Sequence, residues 1–229
     1  ISLTEALRHA AMANEANLDI KWINAELVEE GEIDLEAELK DVDCILVPGG
    51  FGSKGLEGKI SAIKYARENK VPFFGICLGM QCAVVEYARH IGMTGANTTE
   101  ANAETAYPVI DILPDQQDVE EKGSMRLGLY PCKVAAGRLT DKAFGEALIC
   151  ERQRNRSDVN NAVRAAFGKN GLVIAGALPN GRLVEIVELP TDVHPWFMGV
   201  QFHPELKSRP TNPHPLFRDF IAAALKEQK

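Results

Sequence analysis

Two periods of apolar and polar residues organise the first ninety positions. Positions 2–16 repeat apolar residues at helical spacing, and Ser2 followed by Glu5 reads as a capping box at the helix start. LDIKWI at 18–23 alternates apolar with polar, the period of a strand. DCILVP at 43–48 is a compact apolar run ending in proline and reads as a buried strand. The glycine-rich GGFGSKGLEG at 49–58 reads as a loop. SAIKYAREN then reads as a helix, VPFFGI at 71–76 as a second buried strand, and LGMQCAVVEYARH as a second helix. Strand, helix, strand and helix at this spacing imply right-handed crossovers and a mostly parallel sheet with helices on both faces.

Beyond residue 95 the pattern changes. PVIDIL, LYPCKV, ALICER, GLVIAGAL, RLVEIVEL and FMGVQF follow one another as strand-like runs with few helices between them. Asn180-Gly181 between two of these runs is a hairpin signal. A closing helix is expected from about Pro215 to Lys226. The expected fold is therefore a doubly wound α/β domain over residues 1–229, extended by antiparallel strands in its second half. A parallel sheet of this kind usually opens on a strand before its first helix. None precedes Ile1, so that strand is expected to be cut off or absent, and the chain reads as a piece of a longer protein.

Composition narrows the classes without choosing among them. The 229 residues are 45% hydrophobic and 25% charged, which suits an ordinary globular protein with a large core. A net charge of −7 argues against a general nucleic-acid or membrane surface. No apolar run reaches the roughly 18 residues of a membrane span. The five cysteines (Cys44, Cys77, Cys82, Cys132 and Cys150) are odd in number and form no C-x-x-C pair. That usage fits a reducing, cytoplasmic setting better than a disulfide framework or a zinc site, and no metal is expected.

Candidate chemistry concentrates at strand ends. Gly75-Ile76-Cys77-Leu78-Gly79 has the form G-x-nucleophile-x-G where a buried strand gives way to a helix. The helix N-terminus beneath Cys77 favours a thiolate, and the Leu78 N–H is placed to donate to an oxyanion. Taken alone, the motif fits a buried cysteine in a tight turn equally well. His203 ends FMGVQF and is followed by Pro204 and Glu205, so an extended backbone sets the carboxylate and the ring on one face. Alone, that pair fits a surface His and Glu beside a proline turn. His9, His90, His194 and His214 have no such partner and read as structural or solvated. The loop Gly49-Gly50-Phe51-Gly52 follows another buried strand, so it should neighbour Cys77 and offer a second oxyanion donor. Three strand ends carrying these features are stronger together than any one of them.

PGGFG, GICLGMQ and VQFHPE, in this order and spacing, resemble the class I glutamine amidotransferases. PGGFGSKGLEGKI, ANTTE, MRLGLYP and QFHPELKSRP narrow the resemblance to the glutaminase domains of CTP synthases, over nearly the whole chain. The resemblance implies that Cys77 attacks the side-chain amide of L-glutamine. His203, oriented by Glu205, would protonate departing ammonia and then activate water. Gly50 and Leu78 would form the oxyanion hole. Gly50, Phe51, Leu78, Gly79, Met80 and Gln81 would line the glutamine pocket, with Glu100 on the α-amino group and Arg156 on the α-carboxylate. Arg126 would match a loop linked to GTP activation. No cofactor is implied for this domain. ATP and Mg belong to an absent synthetase domain that aminates UTP to CTP, and homo-oligomerisation is expected of the full-length protein.

The chain departs from that family's usual pattern at several places. Gln153 and Asn155 stand where histidines are usual, Ser157 where tyrosine is usual, and Ala101 and Leu206 where aromatics are usual. Two other readings follow. One is a catalytically impaired regulatory or assembly module, and the other is an amidotransferase domain serving a different acceptor.

Overall fold

The computed structural model describes residues 1–112 and 125–227. Its central sheet is built on β1 (Ile45–Val47), β2 (Phe73–Ile76) and β10 (Phe197–Val200), which run parallel. All four residues of β2 are buried, as are those of β10, because both faces of this half are covered. On one face lie α4 (Leu56–Glu68) and α5 (Leu78–His90), with Ile60, Ile63, Met80 and Val84 meeting Phe73 and Phe197. On the other lie α1 (Ser2–Ala13) and α8 (Pro215–Glu227), whose Ala6, Ala10, Phe217 and Phe220 meet Phe74, Ile76 and Met198. The expected doubly wound α/β fold is present.

Antiparallel strands extend the sheet beyond β10. They are β9 (Val184–Glu188), β8 (Val173–Ala177), β5 (Arg126–Val134) and β6 (Leu148–Asn155), giving the order β1-β2-β10-β9-β8-β5-β6. The predicted hairpin joins β8 to β9. There Gly181 takes a φ of 74° and the Arg182 N–H reaches the Asn180 side chain at 3.0 Å. A small second sheet carries β3 (Asn97–Thr98), β4 (Pro108–Asp111) and β7 (Asp158–Val159). Leu113, the last residue of the predicted run PVIDIL, lies outside the described residues. Short helices complete the chain: α2 (Ala25–Glu29), α3 (Leu35–Leu39), α6 (Leu139–Phe144) and α7 (Arg164–Asn170).

Two sequence expectations fail. Ser2 is not a cap: Ile1 occupies that position, its carbonyl takes the Thr4 hydroxyl and the Glu5 N–H, and Glu5 pairs with Arg8 instead. LDIKWI forms no strand. Its period is right, but a strand exists only with a neighbour to bond, and among the described residues its backbone has no hydrogen-bond partner. Lys21 instead ties this segment to Glu38 at 2.6 Å.

Candidate active site

The turn from β2 into α5 holds Cys77 at φ 52° and ψ −107°, a region that a residue with a side chain seldom occupies. Close packing on both sides explains why glycines flank it. A Cβ on Gly79 would stand 2.0 Å from the Val47 carbonyl oxygen, and one on Gly75 would stand 2.7 Å from the Gly79 carbonyl. Helix and strands therefore approach to backbone contact, and the Cys77 N–H is fixed by a 2.7 Å bond to the Val200 carbonyl. The Cys77 side chain is almost fully enclosed. Its sulfur sits 3.7 Å from the Arg154 carbonyl and 3.6 Å from the Gln201 amide nitrogen.

His203 lies just beyond β10, anchored by its N–H on the Arg152 carbonyl at 2.8 Å. The turn Pro204–Leu206 folds Glu205 back, and its Oε1 lies 2.7 Å from His203 Nδ1. His203 Nε2 is buried on the Cys77 side of the ring, where no group stands at hydrogen-bond geometry among the described residues. Burial alone would lower the pKa of His203. The nearby Cys77 sulfur and the Glu205 carboxylate outweigh it and raise the value to about 10. The β1 loop closes the group: a Cβ on Gly49 would stand 2.8 Å from His203 Cε1 and 3.3 Å from Cys77 Cβ. The ends of β1, β2 and β10 thus bring the glycine loop, the cysteine and the His–Glu pair together.

Such an arrangement suits acyl transfer. A cysteine at a helix N-terminus faces unpaired N–H groups, and an imidazole oriented by a carboxylate can carry a proton in both directions. Beside it opens a cavity of about 490 Å³ lined by Phe51, Gly52, Glu100, Met125, Arg154 and Arg156. Glu100 accepts the Ser157 hydroxyl at 2.7 Å, and the Arg154 guanidinium lies 5.3 Å from the centre of the Phe51 ring. A carboxylate and two guanidiniums in one cavity offer opposite charges for the two ends of an amino acid.

The other sequence-selected residues fall in varied places. A Cβ on Gly50 would meet Leu78 Cδ2 at 3.4 Å, so these two border each other as expected. Gly79 contributes close backbone packing. The Met80 side chain, however, is in the core against Gly199. Gln81 is buried, with its amide nitrogen committed to the Ser157 carbonyl at 2.9 Å and to Gln201 at 3.2 Å. Arg126 is also buried, paired to Asp158 at 2.9 Å and Glu185 at 2.5 Å. Its guanidinium is thereby turned inward rather than presented to a dissolved nucleotide, and residues 123–124 of its motif lie outside the described residues.

β6 separates the arginines from the departures. Side chains alternate along it, so Arg152 and Arg154 are exposed while Glu151, Gln153 and Asn155 are buried. Gln153 bonds Glu185, and Asn155 bonds Asp158 at 3.0 Å. Burial pushes Glu185 up to about 7 against the lowering pull of Arg126. Ala101 packs at the edge of the core and Leu206 is exposed. Arg154 and Gln201 escaped the sequence reading of the pocket, and Ser157 entered it only as a departure. Alternation along β6 could have found Arg154, whereas nothing local marks Gln201 or the Ser157 hydroxyl.

The model of the family described as Glutamine amidotransferase class-I matches residues 1–223. This chain belongs to that family. It is 56% identical over 230 residues to a CTP synthase of Clostridium kluyveri, covering 100% of this chain and 42% of that protein. It is 55% identical to a CTP synthase of Geobacillus kaustophilus, covering 99% and 42%. The chain thus spans about two fifths of the length of these relatives. A solved structure described as the Trypanosoma brucei CTPS glutaminase domain with bound acivicin superimposes with a TM-score of 0.90 at 34% identity. That match covers 98% of this chain and 87% of the trypanosomal one. The resemblance read from PGGFG, GICLGMQ and VQFHPE therefore holds, and the amidotransferase is an enzyme domain.

Proposed function

We propose that this domain hydrolyses L-glutamine to glutamate and ammonia through Cys77, His203 and Glu205. The observation that carries the reading is the convergence at Gly49, where no Cβ fits between the imidazole and the cysteine. Cys77 sulfur bonds the side-chain carbonyl carbon of glutamine, and the carbonyl oxygen takes the charge among the Leu78 and Gly50 N–H groups. Collapse of that intermediate breaks the C–N bond as His203 gives its proton to the leaving nitrogen. Water then loses a proton to His203 and cleaves the thioester, freeing glutamate and the sulfur. Glu205 keeps the ring oriented through both steps. Glu100 holds the α-amino group, and Arg156, with Arg154 beside it, holds the α-carboxylate.

The same reading makes the ammonia a supply for a synthetase domain outside these residues, where ATP and Mg would drive amination of UTP to CTP. Similarity to CTP synthases across the whole chain supports this acceptor over another. Acivicin, the compound carried by the trypanosomal domain, is the probe for the test. The expected result is a single adduct at Cys77, located by peptide mass spectrometry and suppressed by excess L-glutamine. Labelling that glutamine does not suppress would reduce Cys77 to a reactive thiol. No labelling of the folded domain, with or without the synthetase portion, would favour the impaired module.

A further inference from the structure

Gln201 follows β10 and is fully buried, with its backbone N–H on the Glu185 carbonyl at 2.8 Å. A buried carboxamide has to pair both its nitrogen and its oxygen, and here a chain of one-way hydrogen bonds decides how it points. The Ser157 carbonyl can only accept, so the Gln81 nitrogen faces it at 2.9 Å. That nitrogen can only donate, so the Gln201 oxygen turns toward it at 3.2 Å. The Gln201 nitrogen is thereby turned the other way, onto the Cys77 sulfur at 3.6 Å. A backbone carbonyl and two carboxamides thus form one line of fixed polarity that ends on the sulfur.

A neutral thiol offers that nitrogen little. Sulfur in a thiol is a weak acceptor, so a buried N–H facing it stays close to unsatisfied. A thiolate accepts with the help of its charge, and the contact gains strength only in that state. The thiol has a partner of its own, because Cys77 can donate to the Arg154 carbonyl at 3.7 Å. Each protonation state of the sulfur therefore has a side to bond, β6 for the thiol and Gln201 for the thiolate. Gln81, Gln201 and the Arg154 carbonyl do not titrate, and the exposed Arg154 guanidinium lies against Phe51. The titratable group beside the sulfur is His203, with Glu205 at its Nδ1.

We propose that the Gln201 carboxamide, oriented by Gln81, stabilises the Cys77 thiolate in both halves of the reaction. This role rests on Cys77 acting as the nucleophile proposed above. As the thiol proton passes to His203, the sulfur keeps the electron pair and the Gln201 N–H bonds it. The contact weakens when the sulfur shares that pair with the glutamine carbonyl carbon. It returns when water cleaves the thioester and the sulfur leaves with the pair, so formation and departure of the thiolate use one donor. Gln201 touches the reacting atom and is a catalytic residue, whereas Gln81 acts through it and is a positioning residue.

The test is the pH dependence of Cys77 alkylation by iodoacetamide, read by peptide mass spectrometry in this domain joined to the synthetase portion proposed above. Gln201→Met keeps the side-chain length and removes the donor. It should raise the pH midpoint of alkylation by about one pH unit, a tenfold loss of thiolate below it. The kcat for glutamate release should fall by about tenfold with KM within about twofold. Gln81→Met leaves the sulfur's own contacts in place and frees the Gln201 amide to flip, so the midpoint should rise by about half a pH unit, or about threefold. A merely structural role would lower the melting temperature and leave the midpoint in place, and that result in folded Gln201→Met would overturn the proposal. If Gln201→Met does not fold, Gln81→Met decides alone, and an unmoved midpoint there overturns it. A midpoint that moves in Gln201→Met but not in Gln81→Met would overturn the orienting role of Gln81. Midpoints that move as expected, in a protein whose Cys77 L-glutamine does not protect, would support the thiolate contact and sink the glutaminase reading instead.

Discussion

Gly49→Ala isolates the steric fit at the centre of the proposed reaction. The added Cβ would stand 2.8 Å from His203 Cε1, about 0.7 to 1.2 Å inside ordinary carbon contact. Nothing cheap relieves it. The imidazole is held by Glu205 at Nδ1, the backbone that carries it is anchored on the Arg152 carbonyl, and the Cys77 Cβ lies only 3.3 Å from the new methyl group. Either the ring shifts or the loop does. A ring shift of about 1 Å costs roughly a hundredfold in rate, about 2.7 kcal/mol of barrier. A loop shift withdraws the Gly50 N–H from the oxyanion, with a loss of about 10²–10³-fold. Overpacking destabilises the fold by about 1–3 kcal/mol, which a domain of ordinary stability survives. Gly50→Ala is the internal control, because its Cβ meets only the flexible tip of Leu78 at 3.4 Å. It should cost less than about fivefold, about 1 kcal/mol. The assay is glutamate release from L-glutamine by this domain joined to the synthetase portion proposed above, read as kcat and KM beside a thermal melt. A Gly49→Ala protein within fivefold of wild type in kcat would refute the steric reasoning, as would equal losses in the two variants.

Three further outcomes are expected. Arg126→Met should cost about 3–5 kcal/mol in a urea melt, because Asp158 and Glu185 lose their shared buried guanidinium; a loss below about 1 kcal/mol would show that the pair is not structural. Ser157→Ala frees Glu100 from its 2.7 Å hydrogen bond and should raise the KM for glutamine by about tenfold, with kcat nearly unchanged; a fall in kcat alone would take Glu100 out of substrate binding. The raised pKa of His203 stabilises the fold fully below its unfolded value of about 6.5. That contribution fades as pH rises through about 10. The melting-temperature gap between wild type and His203→Gln should accordingly be widest in mild acid and close in strong alkali, and a gap independent of pH would contradict the assignment.

Cys77 was legible in the sequence because its environment is local. Two glycines four residues apart and an apolar run ending at a helix are all that a tight strand-to-helix nucleophile turn requires. His203 with Glu205 was legible for the same reason, since a two-residue spacing in extended chain sets both on one face. Met80 and Gln81 show where adjacency misleads. They follow the nucleophile closely, but α5 turns Met80 onto Gly199 and Gln81 onto the Ser157 carbonyl. Gln153 and Asn155 read as pocket departures in the chain, yet strand alternation puts them behind β6, against Asp158 and Glu185. Ser157 counted as a loss and proves to hold Glu100.

The amino-acid sequence by itself determined the period of each element, the glycines that admit backbone contact, and the order of the three strand ends. Only the tertiary structure decided which of those elements found partners. LDIKWI carries a strand's alternation but no ladder, because a strand is completed by its neighbour's hydrogen bonds and not by its own residues. The candidate site depends on its neighbours in the same way. β1, β2 and β10 are far apart in the chain, and their parallel register is what sets Gly49, Cys77 and His203 within a methyl group of one another.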